Sequence, residues 1–577
     1  MNTLKPYFNI NFYFFVITLF VAIFFIFNLD KGLEFTDESY ILLYSLYAND
    51  VVGKITNFGL FGNILLNISN FDLYYFRIIG FLLLLISSLA AFKGLIFFYK
   101  TKNFDVFADN YLIFYVAITG SLCFYRYWVI TPSYNMYNLC GALFFISGLF
   151  FILPKSNFLG NFKSFFLISL GLFICFVSKP TTAIFLSIVL TIWLTIFYRK
   201  FFIRIFFSLF IVGIIIFFMY VFLNFHSLKL YLDDLFFGYE LKKTLDPRYD
   251  FFNNLIFTIK YLVKDVMIHW LFFIIQIFGI IFLKKINRIN FSIIFSIISL
   301  LIFDNLNILF ISLLINLLFL CDKKLILKKE NILLILIPMV IFIVSFGTNT
   351  NPVNHVHTSA IFYFLLMFHI INLYPIDIKS KGIVFVILLC VHLSVNIHNN
   401  IFKPQRYRYN LLNQNNKIVI PNFNNHIYVD NFVKSYFDQI SDLKSKLNDK
   451  NIKYLIDYTG HQPILNLLFG YKFIVQPWWS GVYIESNDYI NLIINKPNKK
   501  YNTNTLVVTN DDISLEVKPY DIDNNDLKKI GIDLQKNYEV LGVIDLSTYT
   551  NKDSFTITGT HQFSPHMYNF KVWRPKK

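Results

Sequence analysis

Charged residues are scarce in this chain. Of its 577 residues only 15% are Asp, Glu, Lys or Arg, whereas 56% are hydrophobic and 20% are aromatic. Soluble globular domains carry about a quarter charged residues, and their cores have no room for this much apolar surface. The composition therefore excludes an ordinary soluble protein and predicts a polytopic α-helical membrane protein, with spans of about 20 apolar residues each.

Cysteine is rare, and the common catalytic signatures are missing from the sequence. The chain has 5 cysteines, all in or beside apolar runs, so neither a disulfide framework nor a Cys-x-x-Cys metal site is expected. The sequence contains no Walker loop, Gly-x-Ser-x-Gly elbow, His-Glu-x-x-His motif or convincing dinucleotide fingerprint. Nucleotide-hydrolysing, α/β-hydrolase and zinc-peptidase chemistry therefore have no support.

Apolar runs separated by charged gaps set the expected membrane topology. The first run is too long and bulky for a cleavable signal peptide. Asp304 and Asn305 divide the stretch 290–321 into either two short spans or one broken helix. We predict about thirteen transmembrane helices, at residues 11–28, 76–99, 111–128, 137–153, 164–178, 181–198, 205–223, 266–283, 290–303, 307–321, 332–346, 358–374 and 382–397.

The excess of basic residues fits this topology. The formal net charge is +16, and the Lys and Arg residues lie in alternate gaps, for example at Lys100, Lys102, Arg199 and Lys200. The positive-inside rule then places the N-terminus in the cytoplasm, and an odd number of spans places residues 398–577 outside it. We expect no nucleic-acid partner, and a bacterial inner membrane is the default location.

Two domains are predicted. Residues 1–397 form the membrane domain, with long outer loops at 29–75 and 224–265. Residues 398–577 form a soluble extracytoplasmic α/β or α+β domain, because strand-like and helical patterns alternate there. The strand-like runs are Lys417–Ile420, Leu506–Thr509 and Glu539–Ile544, the helical patterns are 430–448 and 524–535, and interfacial amphipathic helices are predicted at 231–243 and 253–264.

The first outer loop carries two adjacent carboxylates, Asp37 and Glu38, just before a helix-like segment. Such a pair can serve as a general base, as a ligand for a divalent cation, or as both. The alternative is structural, because Thr36 or Asp37 can cap the helix and acidic groups favour that end of the helix dipole.

Three cations lie at the predicted outer membrane edge: Arg77, Arg126 and Lys179. A cation beside a helix N-terminus suits an anion such as a lipid phosphate. Long basic side chains near span ends also snorkel to the interface without binding any ligand, so both interpretations stay open.

Polar, uncharged loops lie on the same predicted face. Tyr134 and Asn135 follow the third span, and residues 346–357 include Thr348, Asn349 and His355. Amides and hydroxyls at a membrane face suit sugar hydroxyls or phosphate oxygens, although ordinary turns have the same composition. In the tail, Asp457–Pro463 and the Trp-rich Gln476–Tyr483 suit carbohydrate or interface contacts as well as a small core.

These motifs, in this order, resemble the GT-C glycosyltransferase superfamily, and most closely its branch of protein O-mannosyltransferases and lipid A aminoarabinose transferases. Many relatives carry a further acidic residue near the outer end of the third or fourth span, and this chain has none there. The matching segments are Thr36-Asp37-Glu38-Ser39-Tyr40, Arg77-Ile78-Ile79-Gly80, Thr131-Pro132-Ser133-Tyr134-Asn135, Ser178-Lys179-Pro180-Thr181 and Phe346-Gly347-Thr348-Asn349.

The resemblance implies an inverting hexosyl- or pentosyltransferase. Its donor would be a polyprenyl-phosphate or polyprenyl-diphosphate sugar, and its acceptor a lipid, glycan or protein on the outer face. Asp37 would be the base, with Glu38 orienting it or binding Mg or Mn together with it. The phosphate would be neutralised by Arg77, Arg126 and Lys179, and the substrates would contact Tyr40, Tyr134, Asn135, Thr348, Asn349 and His355.

Two other functions remain open from the sequence. A transporter or flippase of lipid-linked sugars would place ionisable groups within its spans, where Lys93 and His369 are the candidates. A non-catalytic envelope polysaccharide assembly protein would use the outer domain for binding, and would not need Asp37 and Glu38 beside cations of the outer face.

Overall fold

The structure is a computed structural model. It describes residues 10–49, 56–104, 106–126, 128–153, 158–225, 227–245, 256–283 in part, 285–303, 306–320, 328–345, 357–397, 410–447, 451–457, 462–473, 504–510, 528, 532–545 and 569–576.

Helices occupy every apolar run that the sequence predicts as a span. Two further helices, α2 and α3, fold within the first outer loop, and α10 covers the first predicted interfacial helix. The helices are α1 Ile10–Phe27, α2 Asp37–Leu46, α3 Phe58–Ile68, α4 Leu73–Thr101, α5 Asn110–Phe124, α6 Tyr134–Phe151, α7 Phe158–Ser178, α8 Pro180–Tyr198, α9 Phe202–Phe225, α10 Leu228–Leu245, α11 Trp270–Phe282, α12 Lys285–Phe303, α13 Leu306–Leu320, α14 Leu333–Ser345, α15 Ala360–Leu373 and α16 Ile378–Ile397.

The chain is an α-helical membrane protein. Within the described residues, four stretches are long and apolar enough to cross a bilayer: Leu73–Thr101, Tyr134–Phe151, Leu159–Ser178 and Pro180–Phe225. The last of these contains α8 and α9, which the short 3-10 turn Arg199–Phe201 separates. The other apolar helices are shorter, so the number of spans stays a prediction.

The stretch 290–321 folds as two helices that pack side by side. The Ser296 and Ser312 hydroxyls are 3.2 Å apart, and the Asn316 amide donates to the Ser292 carbonyl at 3.1 Å. Because one partner number rises as the other falls, α12 and α13 are antiparallel. Gln276 on α11 joins the same buried network by donating to Asn316 Oδ1 at 2.8 Å. Of the two arrangements left open by the sequence, the structure has the helical hairpin.

Local signals in the sequence explain where several helices begin. Asp72 accepts from the backbone N–H groups of Tyr74 and Tyr75 at the start of α4, and Ser133 accepts from Met136 at the start of α6. Pro180 stands at the first position of α8, where a missing N–H costs nothing. These caps fix the ends of the helices that face the first outer loop.

Glycine lets α6 and α7 approach at backbone distance. A Cβ built on Gly141 would lie 2.8 Å from the Gly171 carbonyl oxygen and 2.7 Å from Cys175 Sγ, closer than real Cβ atoms come. Small residues at such contacts drive helix packing in membranes by allowing backbones to touch. The two helices are therefore closely packed at Gly141 and Gly171.

The described part of residues 410–576 contains two sheets and three α-helices. The β1–β2 hairpin is antiparallel and forms a sheet of its own, while the five-stranded sheet has the order β4-β3-β5-β7-β6, parallel at β4-β3-β5 and antiparallel at its other edge. The elements are β1 Asn416–Val419, β2 His426–Val429, α17 Asn431–Leu447, β3 Tyr454–Asp457, α18 Pro463–Phe469, β4 Lys472–Phe473, β5 Thr505–Asn510, α19 Leu534–Asn537, β6 Tyr538–Asp545 and β7 Asn569–Pro575.

Strands lie at all three strand-like runs, and α17 matches the helical pattern at 430–448. The second pattern, 524–535, falls mostly outside the described residues, as does the interfacial helix at 253–264. The hydrophobic core continues from the membrane helices into this unit. The boundary at 398 and the extracytoplasmic location therefore remain predictions.

Candidate active site

The start of α2 is closed by two glutamates that bind each other's backbone. The Glu38 N–H donates to Glu34 Oε2 at 2.8 Å, and the Glu34 N–H donates to Glu38 Oε2 at 2.8 Å. Thr36 occupies the N-cap position but makes no capping bond; its hydroxyl bonds Glu34 Oε1 instead. Glu34 therefore caps the helix, and Thr36, one of the two capping residues that the sequence offered, does not.

Arg77 fastens this loop to α4 from within the protein. The residue is fully buried, and a guanidinium has five N–H donors. All of its nitrogens donate to protein oxygens. The acceptors are Leu29 O at 2.7 Å, Lys31 O at 3.3 Å, Gly32 O at 2.8 Å, Glu38 Oε1 at 2.8 Å and Thr131 Oγ1 at 3.1 Å.

These contacts give Arg77 and Glu38 a positioning role. Glu38 is fully buried, and its Oε1 accepts from both Arg77 and the Thr131 hydroxyl. A substrate cannot reach the Glu38 carboxylate, and a phosphate would have to displace an existing acceptor of Arg77. The pair cross-links the first outer loop, α4 and the α5–α6 loop.

The same saturation bears on the predicted Mg or Mn site. Both carboxylate oxygens of Glu38 already accept hydrogen bonds, so the Asp37–Glu38 pair does not offer the open oxygen ligands that these cations need. No group of three His, Cys, Asp or Glu side chains that could hold a metal occurs in the part of the chain that the structure describes. Within the described residues, the Asp37–Glu38 pair therefore does not fit a divalent cation.

Asp37 differs from its neighbour because it is only half-buried. It is the first residue of α2, so its carboxylate stands at the positive end of that helix. The reciprocal hydrogen bonds between Glu34 and Glu38 hold the backbone on either side of Asp37. Asp37 is therefore the carboxylate of the motif that a substrate can reach.

A line of aromatic rings connects α2 with the start of α6. Phe58 of α3 has its ring centroid 6.2 Å from that of Tyr40 and 5.4 Å from that of Tyr134. Trp128 meets Tyr134 edge-on at 6.1 Å. Tyr40 and Tyr134 are half-buried whereas Phe58 is buried, so two predicted substrate-binding residues present partly accessible rings on one cluster.

Lys179 completes this arrangement from the link between α7 and α8. Its Nζ lies 5.6 Å from the centre of the Tyr134 ring. The side chain is only 7% exposed, and no hydrogen-bond acceptor among the described residues reaches Nζ. Burial lowers the pKa of Lys179 to about 7. A buried ammonium without a protein acceptor is suited to an anionic ligand.

Polar side chains also lie where α6, α8 and α14 meet. Asn138 donates to Val344 O at 3.2 Å, and the Thr182 hydroxyl donates to Ile343 O at 3.4 Å. The Asn135 amide nitrogen is buried and has no hydrogen-bond partner in the described part of the chain. Asn135 therefore adds a hydrogen-bond donor near the first turn of α6.

The other predicted site residues lie elsewhere. Arg126 is buried just past the end of α5, within electrostatic range of His392 on α16. Thr348, Asn349 and His355 fall outside the described residues, as does the Gln476–Tyr483 segment. The structure thus brings together Asp37, Glu38, Tyr40, Arg77, Tyr134, Asn135 and Lys179 around the first outer loop.

Sequence reasoning missed two parts of this region. Glu34 is not among the predicted site residues, although its carboxylate caps α2. The Thr131 hydroxyl binds both Arg77 and Glu38. The only signal in the sequence for this role is that Thr131 opens the segment Thr131-Pro132-Ser133-Tyr134-Asn135.

Comparison with known proteins returns a limited similarity. No protein-family model and no curated protein matches the chain. Two solved structures are similar, and both are of ArnT from Cupriavidus metallidurans, a lipid A aminoarabinose transferase with the GT-C fold. The apo form aligns at 11% identity over 86% of this chain and 92% of its own, with a TM-score of 0.37. The form bound to undecaprenyl phosphate aligns at 10% identity over 97% of each chain, with a TM-score of 0.40. At TM-scores this low, nothing about the activity of this chain follows from the alignment.

Proposed function

We propose that this chain is an inverting glycosyltransferase that uses a polyprenyl-phosphate-linked sugar. It transfers the sugar to a lipid, glycan or protein acceptor on the outer face of the membrane. One observation carries the proposal. A reachable carboxylate, Asp37, and a buried ammonium, Lys179, for which no described residue supplies a hydrogen-bond acceptor, flank one aromatic cluster between α2 and the start of α6.

The two groups fit the two halves of a glycosyl transfer. Asp37 takes the proton of the acceptor hydroxyl as that oxygen attacks the anomeric carbon of the donor. The new bond forms as the bond from the anomeric carbon to the phosphate oxygen breaks, so the configuration at carbon inverts. The polyprenyl phosphate leaves with the bonding electrons, and Asp37 later releases its proton to water.

Lys179 acts on the leaving group. The phosphate gains negative charge as the glycosidic bond breaks, and an ammonium in a water-poor site stabilises that charge more strongly than one in bulk water. Asn135 supplies a neutral donor from the next element, and Tyr40 and Tyr134 offer ring faces on which a sugar can stack.

Arg77 and Glu38 contribute without touching the substrates. They hold the backbone of residues 29–38, so that the Asp37 carboxylate meets the acceptor without reorganising. Positioning of this kind accounts for a large part of many enzymatic accelerations, because the orientation is fixed before the reaction begins.

The proposal is tested by transfer assays on purified protein in nanodiscs. A panel of radiolabelled polyprenyl-phosphate sugars is supplied with a membrane extract as the source of acceptor. We expect label transfer by the wild type and a loss of about 10²-fold or more for Asp37→Asn, the scale of a lost general base. Asp438→Asn is the matched control, because Asp438 is an exposed carboxylate on α17 paired only with a surface lysine in the described structure.

A binding measurement separates donor recognition from chemistry. Lys179→Gln should weaken the binding of a non-transferable polyprenyl phosphate, whereas Asp37→Asn should leave it nearly unchanged. Lys163→Gln is the control, since Lys163 also lies over an aromatic ring, at the opposite end of α7. Binding of the lipid without transfer from any donor would contradict the enzyme and favour a transporter or flippase.

A further inference from the structure

The β1–β2 hairpin has no partner strand in the five-stranded sheet of its own unit. It forms a separate two-stranded sheet, with Asn416 opposite Val429 and Val419 opposite His426. Several of its polar contacts are made with the first outer loop, more than 350 residues earlier in the chain. Two sets of contacts come from the hairpin, and a third comes from α17 and α18, which follow it in the chain.

The first set pairs the hairpin with residues 30–32 of the catalytic loop, which is residues 29–38 of the first outer loop and carries Asp37. The Gly32 N–H donates to Tyr428 O at 2.8 Å, and the Tyr428 N–H donates to Asp30 O at 2.9 Å. Lys31 thereby pairs with Tyr428 as a parallel bridge. Arg77 binds the carbonyl of Gly32 from α4, so residues 30–32 are held from both sides.

The second set comes from the turn between β1 and β2. Asn424 donates from its backbone to Phe71 O at 3.0 Å and from its amide to Asn70 O at 2.6 Å. Asn70 and Phe71 have φ of 54° and 57°, a left-handed conformation that costs energy in residues other than glycine. Asn425 donates at 2.9 Å to Asp72, the residue that caps α4.

The same turn also reaches the far end of α2. The Asn422 amide donates to the Tyr47 hydroxyl at 3.0 Å, and that hydroxyl donates to Gly470 O at 3.2 Å. Tyr47 follows the last residue of α2. The helix that begins with Asp37 is thus tied to the C-terminal unit at its other end.

The third set lies directly beside Asp37. The Phe35 ring stacks on Phe432 at 5.2 Å and packs against Tyr436 at 5.3 Å. The Phe35 carbonyl accepts from the Ile464 N–H at 3.3 Å. Phe35 and Phe432 are both buried, and Phe35 stands two residues before Asp37.

We infer that the β1–β2 hairpin and Phe432 are positioning elements for Asp37. The C-terminal unit forms one wall of the catalytic loop, while Arg77 and α4 form the other. The inference rests on the proposed function only in calling Asp37 catalytic. Lys179 lies against Tyr134 at the start of α6, whereas the hairpin binds residues 30–32 and 70–72, so loosening the hairpin should affect catalysis more than donor binding.

The first test removes exposed side chains that reach from the turn to the loop. The triple variant N422A/N424A/N425A should fold, because these three side chains are exposed and outside the core. We expect amide hydrogens in residues 28–46 to exchange about tenfold faster, as for a locally loosened segment. We also expect kcat for transfer to fall about tenfold with the donor KM unchanged, since small misplacements of a catalytic group are costly.

Its matched control is K434A/D438A/Q439A on α17. These side chains make polar contacts within the C-terminal unit, namely the Lys434–Asp438 pair and the bonds of Gln439 to Asp545. The control should leave both the exchange of residues 28–46 and kcat at the wild-type values. Equal effects of the two triple variants would overturn the inference.

A second pair of variants tests the ring contact. Phe432→Ala should speed exchange at residues 28–46, and Phe432→Leu should restore most of the protection because it keeps an apolar side chain against Phe35. Leu443→Ala is the control, since Leu443 is buried on the same helix but faces Gly542 of β6. Unchanged exchange in Phe432→Ala would contradict the positioning role.

The two readouts keep this inference separate from the proposed function. If the wild type transfers no sugar, the proposed function fails, and the exchange data alone still decide whether the hairpin holds the loop. If transfer is present but the N422A/N424A/N425A variant exchanges and reacts like the wild type, the hairpin inference fails and the glycosyltransferase stands.

Discussion

The substitution Arg77→Lys distinguishes between two roles for Arg77, a structural role within the protein and the binding of a donor phosphate. The guanidinium serves five protein acceptors, whereas an ammonium has three donors. At least two buried acceptors therefore lose their hydrogen bonds. A buried unsatisfied group costs about 1–3 kcal/mol, so the free energy of unfolding should fall by roughly 2–6 kcal/mol.

The assay is thermal denaturation in detergent, followed by the fraction of protein that stays monodisperse. Arg574→Lys is the control, because Arg574 forms a partly exposed ion pair with Glu539 and such pairs are worth at most about 1 kcal/mol. We expect a lower denaturation temperature for Arg77→Lys and little change for Arg574→Lys. A variant as stable as the wild type, with weakened donor binding, would refute the structural role and restore the phosphate-binding assignment.

Three further outcomes follow from the site and the membrane helices. Burial lowers the pKa of Lys179 to about 7, so affinity for a polyprenyl phosphate should fall as pH rises through and above this value. The Lys179→Arg variant stays charged and should lose this pH dependence. An unchanged pH dependence in that variant would refute the role of Lys179 in binding the phosphate. Treatment with EDTA should leave transfer unchanged, because both oxygens of Glu38 are already bound by protein donors; loss of activity restored by Mg or Mn would show that a metal site lies elsewhere. Asn316→Leu should lower the denaturation temperature, because three hydrogen bonds of the buried α11–α13 network involve the Asn316 amide. Each such bond is worth roughly 0.6 kcal/mol within a membrane. An unchanged denaturation temperature would mean that the network contributes nothing to stability.

Much of the helical framework could be predicted from composition, because lipid and a packed helical interior both require long apolar segments. The predicted runs and the observed helices agree closely, as 164–178 and α7 show. Asp37, Lys179 and Tyr134 could be found in the same way, since each stands at a polar break between apolar runs. Orientation across the membrane and the number of spans remain predictions.

The internal geometry of the site could not be predicted from the sequence. Nothing in the local pattern around Arg77 distinguishes a guanidinium that faces a phosphate from one that binds five protein oxygens. The pairing of Lys31 with Tyr428 joins segments almost 400 residues apart, and no local periodicity encodes such a contact. The domain boundary at 398 stays a prediction, and the hydrophobic core of the structure includes residues on both sides of it.

The contact between Gly141 and Gly171 determines how deep Lys179 sits. Lys179 comes eight positions after Gly171, and at 1.5 Å per residue this is about 12 Å of helix. Because the two glycines lock α7 against α6, that length is measured from a fixed point on the helix carrying Tyr134. Inserting a single residue after Gly171 would advance the ammonium by about 1.5 Å and turn it by about 100°. The length of this short segment, more than the identity of its apolar side chains, sets the level of the Lys179 ammonium, and with it the level at which the proposed donor phosphate would be held.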